Sequence, residues 1–388
     1  MSSQEPDLQL LIATNRRIRK HRPDLVLDDT LDDQLHLLQC QFSTGYAITL
    51  PPMVTVPDGP PQDPPKRQGF KRKTQRVAKR WARSFRGAVG SKIPGVQLAV
   101  VEEHQQAACL QRLVDHNDNT PWLFFLHGNN QTLADSIKVC RQIQRYYRVN
   151  VFLFSWPSRS YNPRSIPHLL ASALMMTHPA TRIVARLTAL KSVYDRHAQY
   201  RAARQLAEHT VAHLQQAMQL FGQHILKPLQ RRGVAVNLLV HSLGHYLLLL
   251  MLQREDVAFD FQFGAGLLHQ ADIDVDDIAP LLQRLTLVNP QQVYLTHNKK
   301  DYALFLSGLW NNRLQPKKAY SRAGNGLSDW ELDVPDLHGA QVIDLTGRRH
   351  VGFNHGIVWQ EPIDKISKAQ FSQVINHSQR NINNDNSP

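Results

Sequence analysis

The segment Asn237-Leu238-Leu239-Val240, the end of an apolar run rich in Val and Leu, breaks at His241-Ser242-Leu243-Gly244 and resumes as the Leu-rich stretch Tyr246 to Leu252. A strand pattern that turns into a helix pattern within three residues allows few folds. It is the repeating unit of a parallel sheet with crossover helices. The turn also carries a serine. At such a turn a hydroxyl stands clear of the sheet, and Gly244 lets the helix return close to the strand. The backbone N–H groups at the new helix start can stabilise an oxyanion. Val240 stands where a Gly-x-Ser-x-Gly pattern has its first glycine, so an ordinary His-Ser-x-Gly loop competes with this reading.

Partners for Ser242 are sought by chain order. Upstream, the apolar run Trp122 to Leu126 ends in His127-Gly128-Asn129-Asn130. A buried strand followed by a glycine turn suits a loop whose backbone at Asn129 joins that of Leu243 as oxyanion donors. It also suits a plain strand exit. Downstream, Gln291 to Thr296 reads as a strand, and Asp301 follows in His297-Asn298-Lys299-Lys300-Asp301. Asp301 fits the acid of a triad and equally the N-cap of a helix beginning at Tyr302. Asp272 and Asp274, after the strand-like stretch 261–268, are alternative acids. The base is expected last. His355, between Asn354 and Gly356 beyond the short strand 341–345, is favoured over His350, which sits beside Arg348 and Arg349.

Taken together these pieces resemble a bacterial α/β-hydrolase family long catalogued as a domain of unknown function in the esterase/lipase superfamily. The matching residues are Phe125-Leu126-His127-Gly128-Asn129-Asn130, Val151-Phe152-Leu153-Phe154-Ser155-Trp156-Pro157-Ser158 and Val240-His241-Ser242-Leu243-Gly244. They continue in Ala271-Asp272-Ile273-Asp274, Asn298-Lys299-Lys300-Asp301 and Asn354-His355-Gly356. The Phe-Ser-Trp-Pro-Ser piece is the most diagnostic. The likeness spans roughly residues 95–360 and implies Ser242 as nucleophile, Asp301 as acid and His355 as base. It implies no single substrate. Two departures are Asn129 where the family carries Tyr, and Gly356-Ile357 where it carries Ser and an aromatic residue.

The predicted fold is therefore α/β: an α/β-hydrolase with a mostly parallel central sheet flanked by helices and an N-terminal extension. The expected organisation is an extension at 1–50 with helix-like pieces from Leu8 to Lys20 and Leu31 to Gln39. A Pro-rich linker at 51–65, a basic amphipathic segment at 66–92, the catalytic domain at 93–362 and a polar tail at 363–388 follow. The stretch between Ser158 and Arg232 forms a long insertion whose later part, Ile183 to Leu229, reads as one or two long helices. Of the net charge of +13, ten positive charges lie between Lys66 and Arg86, so the catalytic part is close to neutral. Val77, Trp81 and Phe85 share one helical face there. This segment suits packing on the body first, an anionic membrane surface second and nucleic acid last.

No apolar run is long enough to span a bilayer, and the polar start Met1 to Asp7 does not read as a secretory signal. Three scattered cysteines, Cys40, Cys109 and Cys140, give no disulfide framework or zinc site. A cytoplasmic protein, peripheral to the membrane at most, is expected, and the chemistry calls for no cofactor or metal. The expected activity is hydrolysis of a carboxylic ester, a small-molecule acyl substrate, through an acyl-enzyme. Acyl transfer on the same triad, or a non-catalytic binding module recruited to membranes by residues 66–86, are the alternatives. Oligomeric state is not legible.

Overall fold

The computed structural model describes residues 8–19, 26–42, 96–129, 131–158, 182–285, 292–312, 321–326, 339–348, 351, 354–359 and 365–376. The expected linker, the basic segment, residues 159–181 of the insertion and His350 lie outside the described residues.

Nine strands form one sheet: β1 (Leu10–Arg19), β2 (Val26–Phe42), β3 (Val96–Val101), β4 (Trp122–Leu126), β5 (Asn150–Ser155), β6 (Val236–His241), β7 (Ala265–His269), β8 (Gln292–His297) and β9 (Gln341–Asp344). Their spatial order is β3-β2-β1-β5-β4-β6-β7-β8-β9. From β1 onward every neighbour is parallel, while β1–β2 and β2–β3 are antiparallel. The helices are α1 (Glu103–Asp115), α2 (Leu133–Tyr147), α3 (Arg182–Phe221), α4 (Lys227–Arg231), α5 (Gly244–Leu252), α6 (Ile278–Leu285), α7 (Tyr302–Asn311), α8 (Ala323–Gly326) and α9 (Lys365–Ile375). A π turn at Gly222–Leu226 joins α3 to α4.

The central strands are apolar on both faces, as a sheet covered twice requires. Alternation along each strand deals its side chains to two cores. Trp122, Phe124, Phe152, Leu238 and Val240 join the layer under α1, α3 and α5. Leu123, Phe125, Val151, Leu153 and Leu239 join the layer under α2 and α9. Phe124 stacks on Phe152 at 5.4 Å, and Phe221 of α3 lies 4.9 Å from Phe152. Burying such a ring stabilises the fold by about 1.5–3 kcal/mol.

Two expectations are corrected at the ends of the chain. The pieces expected as helices within 1–50 are strands. β1 pairs in register with β5, Leu10 opposite Val151 through Thr14 opposite Ser155. Leu10 and Ile12 face one core while Leu11 and Ala13 face the other. Long-range pairing overrides the helical reading of this short Leu-rich run, and what was expected as an extension is part of the central sheet. At the other end, the expected polar tail contains α9. Its Phe371, Val374 and Ile375 are buried, spaced along one face against β6 and β7, and the Ile375 carbonyl accepts a bond from Asn237 Nδ2 at 2.6 Å.

Candidate active site

β6 ends at His241, α5 begins at Gly244, and Ser242 sits between them with φ at +52°. A non-glycine residue in this region costs about 1–3 kcal/mol and persists only where its surroundings hold it. They do here. The Ser242 N–H donates to the His269 carbonyl at 3.2 Å. Its own carbonyl accepts from Asp272 N–H at 3.2 Å and His245 Nδ1 at 2.8 Å. Val240 causes no conflict, because its side chain is buried in the core under α5. Gly244 is required by contact: a Cβ there would lie 2.9 Å from the His127 carbonyl oxygen and 3.0 Å from that of Leu126.

The loop after β4 closes over the serine. A Cβ on Gly128 would come within 2.5 Å of Ser242 Cβ and 3.1 Å of its Oγ. The backbone at Gly128 therefore runs against the serine, and Leu243 occupies the N-cap position of α5. His127 anchors this loop. Its Nδ1 donates to the Gly128 carbonyl at 2.8 Å and its Nε2 accepts from Trp156 N–H at 3.2 Å, which fixes the neutral tautomer. Burial first, then the charge of Arg16, push its pKa down to about 3. Trp156 stacks on the imidazole and donates Nε1–H to the His127 carbonyl at 3.0 Å. This gives the Phe-Ser-Trp-Pro-Ser segment a physical task, holding the loop beside Ser242.

Asp301 uses its two oxygens differently: one caps a helix and the other faces His355. Its Oδ1 accepts from the Ala303 and Leu304 N–H groups at 2.9 and 3.1 Å, capping α7. Its Oδ2 accepts from His355 Nδ1 at 2.7 Å and from Gln270 Nε2 at 2.7 Å. The carboxylate is fully buried, while the His355 side chain is one-fifth exposed. The His355 ring lies 4.5 Å from that of His241, the residue before Ser242, which brings serine, histidine and aspartate to one edge of the sheet. Burial lowers the His355 pKa, but the charge and hydrogen bond of Asp301, with a further push from Asp272, raise it on balance. Gly356 has φ at +87°, and a Cβ there would meet the Trp359 ring at 2.7 Å.

The alternative acids are committed elsewhere. Asp272 accepts from Arg322 Nε at 2.8 Å and from Ser307 Oγ at 2.5 Å, and Asp274 accepts from Arg322 Nη1 at 2.7 Å. The carboxylate shown hydrogen-bonded to His355 is that of Asp301.

Three contributors are absent from the sequence reading. Gln270, with φ at +47°, links Asp301 to the loop at His355. Besides Asp301 it donates to the Asn354 carbonyl at 2.9 Å and accepts from Gly356 N–H at 2.5 Å. Arg322 locks the Asp272 turn behind the serine. Arg16 of β1 reaches the loop after β4 at Gln131 from a segment 226 residues before Ser242. The signal common to these three is a large polar residue that the fold buries completely.

No curated protein matches the chain. A family model described as alpha/beta hydrolase of unknown function (DUF900) matches residues 102–350. That match covers β4 to β9 with the loops at Gly128, Ser242 and Asp301, and the chain belongs to this α/β-hydrolase family.

Proposed function

We propose that the protein is a serine hydrolase that cleaves carboxylic esters through an acyl-enzyme on Ser242, His355 and Asp301. The observation that carries this reading is the short Asp301–His355 bond beside a serine held at positive φ. With Nδ1 donating to Asp301, the lone pair of the neutral imidazole is on Nε2.

Ser242 Oγ attacks the acyl carbon as His355 Nε2 takes the hydroxyl proton. The carbonyl oxygen becomes an oxyanion between the N–H groups of Leu243 and Asn129. Collapse breaks the C–O bond to the alcohol, which leaves with the proton from His355. Water then attacks the acyl-enzyme, passing its proton to His355, and Ser242 recovers that proton as the acid departs. Asp301 holds the tautomer and stabilises the imidazolium at each stage.

The test is turnover of p-nitrophenyl esters from acetate to longer acyl chains, by wild type and Ser242→Ala, with and without an added alcohol. Turnover that is lost in the variant supports the reading. Transfer of the acyl group to the added alcohol in preference to water would replace hydrolysis by acyl transfer. Absence of turnover on every chain length would contradict it.

A further inference from the structure

Arg16 is completely buried. It lies on β1, outside the residues matched by the family model. Its Nε donates to Ser155 Oγ at 3.1 Å, and its Nη2 donates to the Gln131 carbonyl at 2.9 Å and the Trp156 carbonyl at 2.5 Å. Thr14 Oγ1, two residues earlier, accepts from the Arg16 N–H at 3.1 Å and donates to the Ser155 carbonyl at 2.6 Å, so the strand exit holds the arginine at both ends.

These acceptors belong to two segments that meet at the oxyanion loop. Trp156 carries the indole that fastens His127. Gln131 is the second residue after Asn129, and its N–H is fixed by Ser158 Oγ at 3.2 Å. One guanidinium therefore ties the exit of β5 to the far end of the loop whose near end lies on Ser242. A planar fork with several donors does this where a lysine, with a point charge, does not.

Resting on the serine-hydrolase reading, we propose that Arg16 is a positioning residue for the oxyanion site, fixing the loop at Gln131 and placing a buried positive charge behind it. Its charge adds to burial in lowering the basicity of His127 on that loop. A negative oxygen forming over Ser242 is the species such a charge favours, and it exists only after attack. Losing Arg16 then weakens the transition state more than the bound ester.

The experiment compares wild type, Arg16→Lys, Arg16→Gln and Ser155→Ala. Active sites are counted by fluorophosphonate titration, and kcat per active site, KM and inhibition by a phenylboronic acid are measured. The boronate forms a tetrahedral anion on the serine and stands for the oxyanion. The expected order of kcat is wild type above Lys above Gln, with a loss of roughly tenfold or more at Gln. Boronate affinity should fall in parallel while KM stays within about twofold. Ser155→Ala, which removes one acceptor and keeps the arginine, should give a smaller loss of the same kind and serves if Arg16→Gln does not fold. Variants that lose active fraction or thermal stability but keep wild-type kcat per site and boronate affinity would overturn the proposal and leave the hydrolase reading intact. A wild type that the fluorophosphonate does not modify would overturn both.

Discussion

Asp301 allows its two tasks to be separated by substitution. Its Oδ1 caps α7 and its Oδ2 faces His355 and Gln270. Asp301→Ser keeps a short oxygen for the cap but cannot reach the imidazole. Asp301→Ala removes both functions. The cap is worth about 1 kcal/mol. The two bonds to Oδ2 are charge-assisted and each contributes about 1.5–3 kcal/mol. Both variants should therefore be destabilised by about 3 kcal/mol or more from the Oδ2 side, with Ala about 1 kcal/mol worse than Ser. Their activities should be alike, because neither holds the histidine tautomer, with kcat down roughly 10⁴-fold. Urea unfolding gives the first comparison and kcat on an activated ester gives the second. The pH profile adds a third. Wild-type kcat/KM should rise through a histidine pKa above 6.5, and residual activity in either variant should rise at lower pH, since Asp301 is what raises that pKa against burial. A Ser variant within tenfold of wild type, or Ser and Ala of equal stability, would refute this division of labour.

Gln270→Leu fills the space but strips three hydrogen bonds from the Asp301–His355 loop. Unfolding should become easier by about 3 kcal/mol or more, and kcat should fall with little change in KM, measured on the folded fraction. Gly128→Ala and Gly244→Ala place a methyl against Ser242 and against the Leu126–His127 carbonyls, and both should abolish esterase activity, checked by active-site titration. Stability should fall with acidity. His127 and His245 have pKa values pushed down to about 3 and about 4 by burial, and burial also holds His241 and His269 well below 6.5. The unfolded chain binds these protons first, so each group withdraws about 1.4 kcal/mol per pH unit as pH drops below 6.5. For His245 this ends near pH 4. His355 works the other way: its contribution is full below 6.5 and is lost as pH rises through its raised value. Urea midpoints at pH 7 and pH 5 measure the balance, and equal midpoints would contradict it.

The parts of the fold legible in the sequence are those written locally. β4 and β5 read as apolar runs bounded by polar turns and β6 as one interrupted by Asn237; the elbow sits at the end of β6, and Asp301 follows the strand-like β8. β1 was not legible as a strand because its partner β5 lies about 140 residues on, with Thr14 and Ser155 separated by 141; Leu-Leu-Ile alone suits either a strand or a helix. α9 was hidden because its polar composition masks Phe371, Val374 and Ile375, whose spacing matters only once β6 and β7 are in place. Gln270 and Arg16 escaped for a different reason. A lone Gln or Arg reads as surface, and only the assembled sheet edge shows each spanning two loops.

The most direct test of the central claim is modification by a fluorophosphonate, followed by intact mass, on wild type, Ser242→Ala and His355→Ala. A single adduct on wild type, none on Ser242→Ala and a strongly slowed reaction on His355→Ala is the predicted result. A folded wild type that gains no adduct, or a Ser242→Ala variant modified as readily as wild type, would contradict the assignment of Ser242 as an activated nucleophile.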